Sequence, residues 1–398
     1  MSGETPKLFI EINNSEFIFA AGTENKEKSI KFIFKVITPL QGIKNYRITD
    51  LGLVCEAIKK GVYTVEQKLN LIFKDTILII NNFNCSYINL SGYRKLNGSQ
   101  ISKENITYIL NSLKSNVIKF EEKKTILHIF NSKFNLDKKE IDNLPIGLFG
   151  DFYAHELSFN LINDNDFNNL NNIFDKCNLK IKNFFLKSFV EGSLISKEYN
   201  NLGTFFNIKI NKKDSNIFYF ENDSLKFEQN FISGSDLIIN DISKITSLKT
   251  DTVKKIIKNI TFEISMSNEN LIEKKQFDDE NFIKIKKRLI FQIVEARVKE
   301  LLEIIILKNI NLTSYKKKHS VFFFTFADKS HFKSFKNIYE TIIEKNQNLE
   351  ARFVKNISTE DLINNANKLV HFGWKKEAIP VVQIKKSVIA RFFEALFS

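Results

Sequence analysis

Short apolar runs of strand length alternate with helical stretches along this chain, in two successive sets. A strand must pair into a sheet and an amphipathic helix must cover one, so the alternation dictates a layered α/β architecture. The first set opens with strand-like runs at Leu8–Ile12, Phe17–Ala20 and Lys31–Val36. Asp50 then caps a helical pattern reaching about Phe73, with Leu53, Ala57, Ile58, Val62 and Val65 at helical spacing. A strand at Thr76–Ile80, a capped helix at Ser102–Leu113, a strand at Thr125–Phe130 and helices at Asp166–Cys177 and Lys187–Ile195 complete it. The second set has strands at Gly203–Ile210, Asn216–Phe220 and Leu225–Phe231. Helices follow at Ser235–Ile245, Thr250–Ile260 and Asn281–Leu307, then a strand at Ser320–Phe326 and helices near Phe332–Lys345 and Glu360–Phe372. Two similar α/β sets in one chain predict two lobes around a cleft.

Length and composition fit that reading. The chain has 398 residues, 43% of them hydrophobic, enough for more than one core. With 13 glycines and 4 prolines, long flexible linkers are not expected. No apolar run reaches the ~18 residues needed to span a bilayer, and residues 1–7 lack the apolar stretch of a signal peptide. Three widely spaced cysteines, Cys55, Cys85 and Cys177, fit free thiols in a reducing compartment better than a disulfide framework or a zinc site.

The formal charge of +13 is compatible with a nucleic acid or an anionic membrane as partner. The lysines are dispersed among many Asn, Ile and Phe, which favours compositional bias, and no nucleic-acid motif is present. The exceptions are Lys316-Lys317-Lys318, read as a solvated loop, and Lys385-Lys386. The five histidines never fall at i, i+4, and no serine sits in a Gly-x-Ser-x-Gly turn, so neither a helical metal pair nor a nucleophile elbow is expected. No catalytic residue and no metal ligand is assigned. His128, on an apolar strand, is expected to be a hydrogen-bonded core residue.

The segment 387–398, SVIARFFEALFS, places Val388, Ile389, Phe392, Phe393, Leu396 and Phe397 on one half of a helical wheel. Ser387, Arg391, Glu394 and Ser398 take the other. Twelve helical residues rise under ~20 Å, too short to cross a bilayer but suited to lying in its interface. Lys385, Lys386 and Arg391 would meet anionic headgroups. The competing expectation is a last helix docked on the protein's own core. The connector Lys375–Gln383, with Pro380, favours membrane docking.

Four stretches, in order, resemble the FtsA family of actin-like bacterial division proteins. They are GIKNYRITDLGLVCEAIKKGVYTVEQKL (Gly42–Leu69), ILHIFNSKFNLDKKEIDNLPIGLFGDFYAHELSFNLI (Ile126–Ile162), FISGSDLIINDI (Phe231–Ile242) and VEARVKELLEII (Val294–Ile305). The second is the strongest, keeping a Pro-x-Gly-x-x-Gly turn at Pro145, Gly147 and Gly150. The resemblance implies an actin-like fold, a duplicated ribonuclease H-like motif with two lobes around a cleft. It also implies the family's 1C subdomain. The expected division is 1A at 1–84 and 164–199, 1C at 85–163, 2A at 200–230 and 310–374, and 2B at 231–309. A linker at 375–386 and the membrane helix at 387–398 complete it. It further implies head-to-tail self-association, and docking of the FtsZ C-terminal peptide on 2B, where Lys254, Lys255 and Lys258 would attract an acidic segment. Other division proteins are implied as later partners, and the cytoplasmic face of the inner membrane at the septum as the location. The alternative is a PilM-like component of type IV pilus assembly.

The resemblance also implies ATP with Mg²⁺ between two β-hairpin loops, where small residues admit phosphate and an aspartate in each loop organises the metal. Against the family's DIGT, the first loop reads Glu11-Ile12-Asn13-Asn14-Ser15. Against DIGGGTTD, the second reads Asn207-Ile208-Lys209-Ile210-Asn211-Lys212-Lys213-Asp214. Gly234 belongs to the second lobe's glycine step, and the adenosine-side TGG reads Thr325-Phe326-Ala327. Glu11, Asn13, Asn14, Asn207, Asp214, Gly234 and Thr325 are therefore the candidate nucleotide contacts. Lost glycines are expected to strain positive-φ positions by roughly 1–2 kcal/mol each. Phe326 is expected to occupy adenosine space. ATP binding is thus expected to be weakened or lost, with no hydrolysis as the main activity.

Overall fold

A computed structural model describes residues 5–81, 83–259, 270–277, 280–316, 320–327, 329–345 and 349–380. The chain divides into two compact units, one formed by Met1–Gly203, Phe220–Phe227 and Ile357–Ser398, the other by Thr204–Tyr219 and Glu228–Asn356.

The first unit begins with strands β1 (Lys7–Ile12), β2 (Glu16–Glu24) and β3 (Ile30–Pro39), followed by the short pair β4 (Ile43–Lys44) and β5 (Arg47–Ile48). Helix α1 (Leu51–Leu69) starts as expected at Asp50, whose carboxylate accepts from the Leu53 amide at 3.0 Å. It stops short of Phe73 because Asn70 turns left-handed, with φ 52°. Val54, Ile58, Val62 and Val65 form its buried stripe, each worth roughly 1.5–3 kcal/mol. Gly61 shares that face, and a Cβ there would stand 2.2 Å from the Phe19 ring. Next come β6 (Asp75–Ile80), β7 (Ser86–Lys95), α2 (Lys103–Phe120), β8 (Lys124–Leu136), β9 (Lys139–Ile141), β10 (Phe152–Asn163), α3 (Asp164–Lys176), β11 (Lys180–Leu186) and α4 (Lys187–Glu198).

Apart from the β4–β5 pair, these strands make two larger sheets. One runs β11-β6-β1-β2-β3, with β1–β2–β3 an antiparallel meander and β6 and β11 added in parallel. The other runs through β8, β10 and β7, with β9 paired to β8. Helix α2 lies on this second sheet and runs seven residues beyond its expected end at Leu113. Ile106, Ile109, Leu110, Leu113 and Val117 close a separate core there with Ile129, Tyr153, Leu157 and Phe159.

The second set of elements is β12 (Phe205–Ile210), β13 (Ser215–Glu221), β14 (Ser224–Phe231), α5 (Asp236–Thr246), α6 (Thr250–Asn259), α7 (Lys287–Leu302), β15 (Ser320–Phe326), α8 (Lys329–Glu344) and β16 (Leu349–Phe353), all in the other unit except residues 220–227, which belong to the first. Its sheet order, β14-β13-β12-β15-β16, repeats the pattern of the first sheet: three consecutive strands, then two more added in parallel. This duplication is the actin-like α/β arrangement expected from the sequence. Helix α7 starts at Lys287, six residues after the expected Asn281, and ends in a wider π-type turn at Glu303–Leu307. Helix α6 buries Val253, Ile256 and Ile257 and leaves Lys254 and Lys258 exposed.

The chain then returns to the first unit with α9 (Thr359–Phe372) and β17 (Glu377–Pro380). β17 pairs antiparallel with β8, so the stretch expected as a linker from residue 375 begins with a strand. Its Ala378 is fully buried in the core under α2. The expected membrane helix at 387–398, with Lys385 and Lys386, lies outside the described residues. No helix among the described residues is long and apolar enough to cross a membrane.

Candidate nucleotide loops

The first loop is the turn between β1 and β2. The Asn13 amide donates to the Glu16 carbonyl at 2.9 Å, leaving Asn14 and Ser15 as its two-residue tip. Asn14 is tied down by hydrogen bonds with Asn81 and with Tyr46, the latter at 3.4 Å. Glu11, at 2% exposure, does not face solvent. Its Oε1 accepts from Lys187 Nζ at 2.5 Å, and the same ammonium donates to Asn13 Oδ1 at 2.7 Å. Glu191, one turn along α4, brings a second carboxylate to 3.9 Å. Lys187 is itself buried. Burial pushes its ammonium down, but Glu11 and Glu191 outweigh that and hold it above the ordinary lysine value.

The second loop is the turn between β12 and β13. Lys209 and Ile210, expected within it, instead complete β12 and pair with Thr325 and Phe326 of β15. The turn proper is Asn211–Asp214. The Asn211 amide donates to the Asp214 carbonyl at 2.9 Å, and its Nδ2 donates to Asp214 Oδ1 at 2.6 Å. Gly234 runs against this turn so closely that a Cβ would sit 2.4 Å from the Lys212 carbonyl oxygen. Ser235 and Asp236 donate their amides to the Asn211 and Lys212 carbonyls. Thr325 lies on β15 and donates to the Ile208 carbonyl at 3.3 Å. Asn207 is buried within β12, and its Oδ1 has no hydrogen-bond partner.

Two expectations need correction. None of residues 11–16 or 207–214 has a positive φ, so the missing glycines cause no backbone strain. Both turns keep two tip residues at negative φ, a conformation open to most residues. Phe326 is not an intruding side chain. It is buried in its own sheet, stacked on Phe353 and edge-on to Tyr339 at 5.0 Å.

The fit to a magnesium nucleotide is poor. The Glu11 carboxylate that would serve a metal already holds an ammonium, Asp214 Oδ1 already accepts from Asn211 in its own turn, and the Asn13 and Asn211 amides are bonded within their hairpins. The structure thus gathers Glu11 and Asn13 around Lys187 in one unit, and Asp214 and Gly234 at one turn of the other. Lys187 and Glu191 were invisible as site residues in the sequence, because a lysine opening a helix reads as a surface residue. Among the described residues no group of three or more His, Cys, Asp or Glu side chains is arranged to hold a metal.

No family model matches the chain. A relative does: the cell division protein FtsA of Buchnera aphidicola subsp. Baizongia pistaciae is 23% identical over 386 residues, covering 92% of this chain and 90% of its own length. Among solved structures, the PilM-PilN type IV pilus biogenesis complex superposes with a TM-score of 0.50 at 8% identity, covering 92% of this chain and 96% of that one. The chain is thus similar to FtsA over nearly its full length, and its fold is actin-like. An MreB of Spiroplasma citri bound to ADP has a TM-score of 0.45 at 8% identity, covering 92% and 96% of the two chains. The similarity to the Buchnera protein spans most of both chains.

Proposed function

We propose that this chain is a cell division adaptor, an actin-like subunit that anchors the FtsZ ring to the cytoplasmic membrane. The similarity to FtsA over nearly the full length of both chains carries this reading. In it the protein self-associates head to tail, binds the C-terminal peptide of FtsZ and recruits later division proteins. It works on the cytoplasmic face of the inner membrane at the septum. The amphipathic segment 387–398 supplies the anchor, through Val388, Ile389, Phe392, Phe393, Leu396 and Phe397, with Lys385, Lys386 and Arg391 against anionic lipid. The peptide site is placed on 231–309, where the exposed Lys254 and Lys258 of α6 attract acidic residues. ATP with Mg²⁺ binds weakly or not at all, and hydrolysis is not the activity. Co-sedimentation with FtsZ and with its tail-less form tests the partner; equal binding of the two would remove the peptide from the account.

A second reading, a PilM-like part of type IV pilus assembly, is favoured by the superposition on the PilM-PilN complex. Pull-down against PilN and against FtsZ separates the two.

A further inference from the structure

We infer that Lys187 is a resident cation of the first loop, standing in for a divalent metal, so that this loop keeps its shape without Mg²⁺ or nucleotide. The inference deepens the reading of weak nucleotide binding and rests on it; the division role does not enter.

A carboxylate as buried as Glu11 must have a partner, because an unpaired ion in a dry interior is very costly. In a metal-dependent loop the partner arrives with the ligand, and the empty state is the unfavourable one. Here it comes from the chain itself. Lys187 opens α4 directly after β11, and β11 and β1 flank β6 in one sheet, so the backbone delivers the ammonium to the end of β1 where the loop begins. Its two contacts, 2.5 Å to Glu11 Oε1 and 2.7 Å to Asn13 Oδ1, engage a carboxylate and an amide oxygen, both hard donors suited to a magnesium ion. Glu191 at 3.9 Å adds a second anion. A metal entering this loop would have to displace an ammonium that cannot leave, since it is covalently part of the chain and its stem is buried.

Three consequences separate this inference from a merely structural ion pair. The intact protein should show no Mg²⁺-dependent change in the amides of Asn13–Glu16. Lys187→Met removes the cation and leaves Glu11, Asn13 and Glu191 facing one another, so it should gain a response to divalent metal. Adding Glu11→Gln to that variant removes the carboxylate and should abolish the gain.

The experiment is amide hydrogen exchange of the full chain, with and without Mn²⁺ or Mg²⁺-ATP, beside thermal unfolding of the three proteins and calorimetry with ATP. The inference predicts unchanged exchange at Asn13–Glu16 in the intact chain. It predicts a rise of several degrees in the unfolding midpoint of Lys187→Met on adding Mn²⁺, and none for the double variant. Metal-dependent protection of the loop in the intact protein would overturn it, as would a Lys187→Met variant indifferent to Mn²⁺. If that variant does not fold, the exchange measurement on the intact chain still decides. Tight but metal-independent ATP binding would refute the weak-binding reading and leave Lys187 in its role.

Discussion

His128 Nδ1 lies 3.1 Å from Glu377 Oε1, and both side chains are wholly buried. The expected core histidine on β8 is thus the anchor of β17, the last described strand before the tail. His128 Nε2 also accepts from the Leu186 amide at 3.4 Å, so one ring joins three strands. Glu377→Ala should strand the imidazole in the interior and cost about 1–3 kcal/mol in urea unfolding. Glu377→Gln, which preserves a hydrogen-bonding oxygen, should cost less. Equal losses would show that the pairing adds nothing beyond packing.

Acid should loosen the contact between β2 and α9. Burial pushes Glu24 up, but hydrogen bonds from Lys28, Lys7 and Asn367 outweigh that and bring it from the ordinary 4.5 to about 2. A carboxylate whose folded value lies below its unfolded one contributes fully above pH 4.5, and the contribution is lost as pH falls toward 2. The gap corresponds to at most ~3 kcal/mol, less for the solvent reaching Lys7 and Lys28. His371, 2.6 Å from Glu24, is pushed down by burial and by the Lys7 ammonium. Its contribution is complete above the ordinary 6.5 and starts to fade below it. The unfolding midpoint should therefore drop through both windows, and Glu24→Gln should flatten the lower one. An unaltered profile in that variant would refute the assignment.

Gly61→Ala should destabilise the first unit even though alanine favours helices by up to about 1 kcal/mol. The added methyl would stand 2.2 Å from the Phe19 ring, and overpacking of this kind costs about 1–3 kcal/mol. Thermal unfolding of Gly61→Ala alone and with Phe19→Leu checks the cause, since the smaller partner should recover part of the loss.

Much of the frame was legible because the two signals agreed. Asp50 and the stripe from Val54 to Val65 combine a cap with helical period, and the apolar runs of β1, β6, β12 and β15 are short and bounded. Strand β10 escaped because it buries polar side chains: His155, Ser158 and Asn160 lie at or below 1% exposure, and His155 Nε2 and the Ser158 hydroxyl pair with Asn131 and Asn89 across the sheet. Strand β11 begins with Lys180, Ile181 and Lys182, reads as a loop, and contains a bulge. The candidate loops were legible as positions but not as chemistry. The Lys187–Glu11 contact joins residues 176 apart, and Cys55 and Cys177, 122 apart, come within 3.7 Å. No local pattern announces such pairs. The expected strain failed for a related reason, since glycine loss predicts strain only if the turn keeps a positive φ.

Reversing two charges on α6 should weaken the partner. Lys254→Glu with Lys258→Glu leaves the buried face of Val253, Ile256 and Ile257 intact, so folding should persist. Binding of the FtsZ C-terminal peptide should slow in association and lose its salt dependence. Identical kinetics would place the peptide elsewhere.

Flotation with anionic liposomes tests most directly whether the chain bridges FtsZ and membrane as proposed. In the proposed anchor, six apolar side chains would contribute at most about 1–2 kcal/mol each at the interface, offset by the ordering of the segment, so single tails should bind reversibly and assembly would multiply them. The intact protein should float and carry FtsZ with it, while Phe392→Glu with Phe393→Glu should leave both in the soluble fraction with the body still folded. Equal flotation of the intact and substituted proteins, or flotation without FtsZ, would contradict the account.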